Sequence, residues 1–279
     1  MANTTTINSE LFAKLVTAAQ FAAYEQSVAR QIVTVFDAPL NTGKVLQVPV
    51  WAGISAEIIT DESAATAKTT NTTSQDITLS ELVVYHKITD MLRDSAYSNV
   101  FTQVGDQSGR AIAEAMDKQV FDLFGGFSES GPGAGAELTV DHLLKAAATL
   151  RGRKLTGPFV AVLHPAQAYN IKKQLSNSGA SAIPSLSGVG DNVLSNFYIG
   201  QVAGIQIYES GLVNVDSLDD AAGAVFAPTA IGHAMRGGID LNTQYQAKDR
   251  ATDLVLKAVA GASIINATHG VKLTSDAAV

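Results

Sequence analysis

Cysteine is absent from the 279-residue chain. That excludes disulfides, thiol catalysis and thiolate metal sites, and it fits, without proving, synthesis in a reducing cytoplasm. Charge is also scarce, at 16% of residues, below the usual quarter. Two explanations stand: neighbouring subunits cover much of the surface, or an alanine-rich protein has a neutral one. The net charge of -7 argues against a protein built to grip nucleic acid, which needs clustered Lys and Arg. The one tight basic cluster, Arg151, Arg153 and Lys154, reads as a solvated helix C-terminus. Long apolar runs are missing too. Lys14, Glu25 or Lys257 interrupts them, short of the ~20 residues a membrane helix needs. The chain is therefore expected to be soluble, with no membrane partner. MANTTTINSELF has no basic n-region and is not expected to be a secretory signal. On that reading the Asn-x-Thr triplets at Asn3, Asn71 and Asn266 are chance matches.

Catalytic patterns are equally sparse. The histidines, at 86, 142, 164, 233 and 269, are scattered, none has a second histidine at i+3 or i+4, and His-Glu-x-x-His is absent. His164, before Pro165, is the best placed for a site, yet capping a turn accounts for it equally well. GPGAG (131–135) is not followed by Gly-Lys-Ser/Thr, as a phosphate loop requires. There is no Gly-x-Ser-x-Gly elbow. Asp61/Glu62 and Asp219/Asp220 lie in polar stretches where solvation is the default. No catalytic, cofactor-binding or metal residue is assigned, and no cofactor is expected.

What the chain does have is an order of elements. Residues 8–35 are helix-compatible, with Ser9 as cap and Leu11, Leu15, Ala18 and Ala22 at helical spacing. KVLQVPVWAG, from Lys44, alternates like a strand that Pro49 confines to an edge or bulge. TDESAATAKTTNTTSQDITLSE (60–81) follows, with no glycine, proline or aromatic. It is too polar to bury a core, but its threonines favour extended chain. Between two strand-like flanks, it reads as a long hairpin projecting from a body. Apolar residues recur at helical spacing over 94–124, predicting one long helix, bent at Gly105 and Gly109. A glycine-rich linker (125–138) leads to a helix near 141–150 capped by Asp141. Next come the strand FVAVL, a helix opening at Pro165, a long loop (176–196) and a β-rich remainder. Without a regular βαβ beat, the fold class is α+β.

This order resembles the major capsid proteins of tailed bacteriophages, which share the HK97 fold. KVLQVPVWAGISAEIITDES is like the strand entering their extended loop, and GDQSGRAIAEAMDKQVFDLFGG is like their spine helix. FVAVLHPAQAYNIKKQL, GQVAGIQIYES and AVFAPTAIGHAMRGGIDL are similar to axial-domain elements. AKDRATDLVLKAVAGASIINATHGVKL is similar to strands returning through the peripheral domain.

The resemblance implies an N-terminal arm (1–44) held by neighbours and an extended loop with its flanking strands (45–85). It further implies a peripheral domain (86–130 and 236–262) and an axial domain (131–235 and 263–279). It implies a structural, non-enzymatic protein whose copies form hexamers and pentamers of an icosahedral head. That head would enclose double-stranded DNA without sequence-specific binding and be assembled in the bacterial cytoplasm. With about 45 residues before the loop, a separate scaffolding protein is implied, besides a portal and, as an optional partner, a decoration or cement protein. Inter-subunit contact is expected from Thr60, Asp61, Glu62, Lys68, Thr70, Asn71 and Thr73. Lys68 is the one loop lysine that could cross-link, and no motif marks its partner. The alternatives are an encapsulin-like nanocompartment shell and an α+β enzyme with a site near His164.

Overall fold

The computed structural model describes residues 13–23, 27–40, 43–51, 53–54, 56–59, 66–95, 99–129, 131–177, 201–202 and 204–278; for 93–95, 99–101, 129 and 175–177 it describes the backbone alone. The expected loop at 176–196 falls almost wholly outside these residues.

Two packed sheets organise the subunit. The six-stranded one has the order β5-β12-β9-β6-β8-β7, from β5 (Ser128–Glu129), β6 (Phe159–Leu163), β7 (Gln201–Val202), β8 (Ile205–Glu209), β9 (Asp220–Phe226) and β12 (Gly270–Asp276). FVAVL lies near its centre because both of its faces are apolar. Phe159, Ala161 and Leu163 point to helices α5 (Val140–Gly152) and α6 (Pro165–Asn177), meeting Leu143, Leu150 and Ile171. Val160 and Val162 point the other way, onto Phe121, Phe124 and Phe226. Those rings sit 5.5 Å (Phe121–Phe124) and 5.6 Å (Phe124–Phe226) apart by centroid, typical of tilted aromatic pairs.

The second sheet has the order β1-β10-β11-β4, from β1 (Thr34–Asp37), β4 (Ser80–Thr89), β10 (Ile231–Gln246) and β11 (Ala251–Ile264). Its inner face, including Leu254, Leu256 and Ile88, is covered by helix α4 (Asn99–Phe121) through Ile112 and Met116, and by α1 (13–23) through Leu15 and Ala19. After the short helix α3 (Asp90–Ser95), the long helix expected over 94–124 is thus 23 residues of continuous helix, and the two glycines do not break it. A Cβ on Gly105 would lie 2.7 Å from the Leu15 carbonyl oxygen, and one on Gly109 would collide with the Ala19 backbone. Both glycines let α1 approach α4 closely.

Four local expectations differ from the structure. The helical stretch drawn over 8–35 ends early: α2 (Ala29–Ile32) is one turn, and the β-branched run from Val33 enters β1, parallel to β10. Helix α5 is capped by Thr139 rather than Asp141. The Thr139 side chain and N–H both meet His142 Nδ1, while Asp141 pairs with Lys145 at 2.9 Å. The linker is partly structured, because Phe127 is buried and β5 pairs β12. GPGAG docks in the same way: Gly133 N–H donates to Thr274 O and Gly135 N–H to Asp220 Oδ1. Asp220, expected to be solvated, is therefore buried.

Candidate inter-subunit site

A two-stranded ribbon stands apart from both sheets. Strand β2 (Val45–Trp51) pairs antiparallel with β3 (Thr72–Thr78), from Val45 opposite Thr78 to Trp51 opposite Thr72. Seven residues at about 3.3 Å each give a ribbon of roughly 23 Å. Pro49 is tolerated because β2 has β3 as its one ladder among the described residues. Among the described residues, the ribbon is anchored towards its base, where Val48, Ile77 and Leu79 pack with Ala38 and Ala234. Leu79 N–H also donates to Lys44 O there, at 2.8 Å.

The distal half leaves the subunit. Lys68, Asn71 and Thr73 are exposed and Thr70 is half-buried. Thr60, Asp61 and Glu62 lie outside the described residues. The structure also shows a feature that sequence reasoning missed. Trp51, Ile54 and Ile58 are 68%, 61% and 97% exposed. The signal was present in WAGISAEII, where large apolar residues continue past the end of the strand.

The N-terminal segment, expected to be an arm, is in its described part seated on its own subunit. Asp117 of α4 fastens it. Ser27 Oγ donates to Asp117 Oδ1 at 2.7 Å, Ala29 N–H donates to the same oxygen, and Val28 N–H donates to Oδ2. Burial pushes this carboxyl above the ordinary carboxylate range, although its donors pull the other way.

The histidines serve the fold. His142 caps α5. His164 Nδ1 accepts from Ala166 N–H, in the capping role weighed above, and burial lowers its pKa. His86 meets Ser108, and His269 lies between Thr229 and Asn266. His233 differs. It is fully buried in β10, and neither ring nitrogen has a hydrogen-bond partner among the described residues. Burial, then the Arg30 guanidinium, brings its pKa down to about 4. Arg153, in the basic cluster, clamps Thr268 O and Ser128 Oγ. Among the described residues no group of His, Asp or Glu could hold a metal ion, and no helix is long and apolar enough to cross a membrane.

Residues 72–273 match the family described as phage capsid protein. The chain belongs to that family. It is a structural subunit of the icosahedral phage head, works as a homo-oligomer and is located in the virion. No curated protein matches its sequence.

Solved structures share the subunit's α+β, HK97-like fold at low identity. A chain from Mycobacterium phage Che8 is 18% identical with a TM-score of 0.64, covering 83% of this subunit and 85% of that chain. The head of Helicobacter pylori bacteriophage KHP40 gives 10% and 0.69, covering 88% of each chain. A virus-like particle from Pyrococcus furiosus gives 11% and 0.61, covering 94% of this subunit and 98% of that chain. The fold alone is thus common to different shells, and the sequence match assigns this subunit to phage heads.

Proposed function

We propose that the ribbon β2–β3 is the assembly arm of the capsid subunit, lying across a neighbouring copy in hexamers and pentamers. The observation that carries this is its anchoring: packed at the base, unsupported beyond Val48, and apolar at the tip. Two-stranded ribbons are marginal alone in water, so the distal half needs a partner. The six-stranded sheet with α5 and α6 is read as the axial domain, and the four-stranded sheet with α4 as the peripheral domain. Each has its own apolar cluster. The head encloses double-stranded DNA without sequence-specific contacts, as the net charge of -7 suits. A separate scaffolding protein and a portal complete the assembly, with a decoration protein as an optional addition.

The register supplies the test. Trp51 stands opposite Thr72, so residues 53–71 can be removed and the strands joined through Ala52 and an inserted Asn-Gly, a three-residue hairpin loop with glycine last. The removed residues make no buried apolar contact among those described. The unassembled subunit is therefore expected to melt within a few degrees of the parent. Particle yield on a gradient is expected to collapse. Normal yield would refute the arm, and an unfolded subunit would place the segment in the subunit core.

A further inference from the structure

Resting on that reading of the arm, we infer that Gly261 and Arg236 are positioning residues for it. They fix the direction in which the ribbon leaves its own subunit, so that the distal half reaches a neighbour already aimed.

The chain passes from ribbon to sheet at one point. Strand β3 ends at Thr78 and β4 begins at Ser80, with Ser80 opposite Ala260 of β11. Gly261, the next residue along β11, therefore lies under the departing strand. A Cβ there would collide with the Thr78 carbonyl oxygen, and it would lie 2.9 Å from the Thr78 carbonyl carbon and 3.1 Å from Leu79 Cα. All three obstacles are backbone, so no rotamer change clears them. Glycine weakens a strand interior, and it is found there where another backbone approaches closely. The neighbouring position is small as well. Phe36, Ala234 and Gly261 stand side by side across β1, β10 and β11, and the ribbon base packs with Ala234 through Val48, Ile77 and Leu79.

The other strand of the ribbon is held separately. Arg236, two residues beyond Ala234 on β10, donates from Nη2 to the carbonyl oxygen of Gly43, just before β2. A guanidinium on a carbonyl makes a charge-assisted bond, stronger than a neutral one. Strand β10 loses its register immediately after Arg236, and Gly237 takes a φ of 65°. Irregularities of this kind re-aim a neighbouring side chain. The hydrogen bond from Leu79 N–H to Lys44 O closes the base between the two supports. With β3 seated on Gly261 and β2 braced by Arg236, the base has one orientation. The ribbon magnifies any error in it. A turn of about 10° at the base carries an end roughly 23 Å away by about 4 Å. That is as large as a van der Waals separation, so a misdirected arm misses its contacts.

The cysteine-free sequence allows the direction to be measured. Spin labels are placed through Thr73→Cys on the ribbon and Lys145→Cys on α5, both exposed, and their separation is read by pulsed electron resonance in the free subunit. The parent should give one narrow distribution. Gly261→Ala should move its mean by about 3 Å or more. Arg236→Met keeps the stem, removes the donor and should broaden the distribution. In unlabelled chains each variant should lower particle yield by about tenfold or more, because closure multiplies a misaligned contact. Gly270→Ala controls for stability alone: its Cβ would collide with the Phe127 ring, at the other sheet. It should lower the melting temperature while leaving both the label distance and the particle yield unchanged. Unchanged distances in Gly261→Ala and Arg236→Met would overturn the seat. An equal loss of yield in the control at a matching melting temperature would assign the effect to stability and overturn it too. Shifted distances with normal yield would refute the aiming role. The deletion of 53–71 then locates that failure: if it also assembles normally, the arm itself fails, and if it does not, the arm stands and only its aiming is wrong. Should Gly261→Ala not fold, Arg236→Met decides by the same two readings.

Discussion

At the scale of single residues, two buried titratable groups decide how the subunit responds to mutation and acid. Asp117 accepts three hydrogen bonds from Ser27, Val28 and Ala29. Asp117→Ala strands those donors, so the free subunit should lose about 2–3 kcal/mol in a denaturant melt. Ser27→Ala removes one donor and should cost about 1 kcal/mol. Equal effects would mean that the carboxylate is not the fastening point. His233 works through pH. The unfolded chain takes up its proton near 6.5 and the folded chain near 4, so between those values unfolding binds a proton. The stability from a neutral His233 is complete above about 6.5 and lost progressively towards 4, up to about 3 kcal/mol. Asp117 has the opposite sign: its raised pKa means that its buried charge costs stability once the pH exceeds the unfolded value of 3.8. His233→Phe should flatten the melting-temperature profile between pH 4 and 6.5, and an unchanged profile would remove His233 as the cause.

Whole elements show where local preference yields to packing. Alanine is the better helix former by about 1 kcal/mol, so propensity alone says that Gly109→Ala stabilises α4. Contact with the Ala19 backbone reverses the sign, since overpacking costs about 1–3 kcal/mol. A lower melting temperature for Gly109→Ala is expected, and a higher one would mean that α1 is not seated there. This also shows what could be read in advance. Periodicity located α4 and β2 because each carries its burial pattern in consecutive residues, and Pro165 marked the start of α6. The reason for the glycines was hidden, because it lies on a helix about ninety residues earlier. The Thr139 cap escaped for a related reason: its partner is a histidine at the third position, where Glu or Gln is the usual signal. At the ribbon, the projecting hairpin followed from two strand-like flanks around a polar stretch. The apolar tip was missed because isoleucines outside a strand carry no periodic signal and look like ordinary core.

For the whole molecule, the described surface carries Lys68 as an exposed side chain with no disulfide chemistry anywhere in the chain. The shell is therefore expected to be held without covalent links. Boiled particles should run as one band near 29.1 kDa, and a detergent-resistant ladder would show cross-linking through Lys68. Each contact can be weak because closure multiplies it: a subunit leaves only when several neighbours release it together. Dissociation should thus show hysteresis, with particles persisting under conditions in which free subunits do not assemble.

The seating of the first described elements sets a timetable for synthesis. Ser27 and Asp117 are 90 residues apart in sequence, and Thr34 of β1 lies opposite Gly232 of β10. The segment that leaves the ribosome early therefore waits for nearly the whole chain before it meets its sheet. Contacts of such long range slow folding, and until they form, the apolar side of α1 and the edge strand β1 stay open to other chains. Nascent chains halted before residue 231 should leave residues 13–37 sensitive to protease, and chains released after residue 264 should protect them. Folding of this subunit would then be largely an event after synthesis, in a cell that is making very many copies at once.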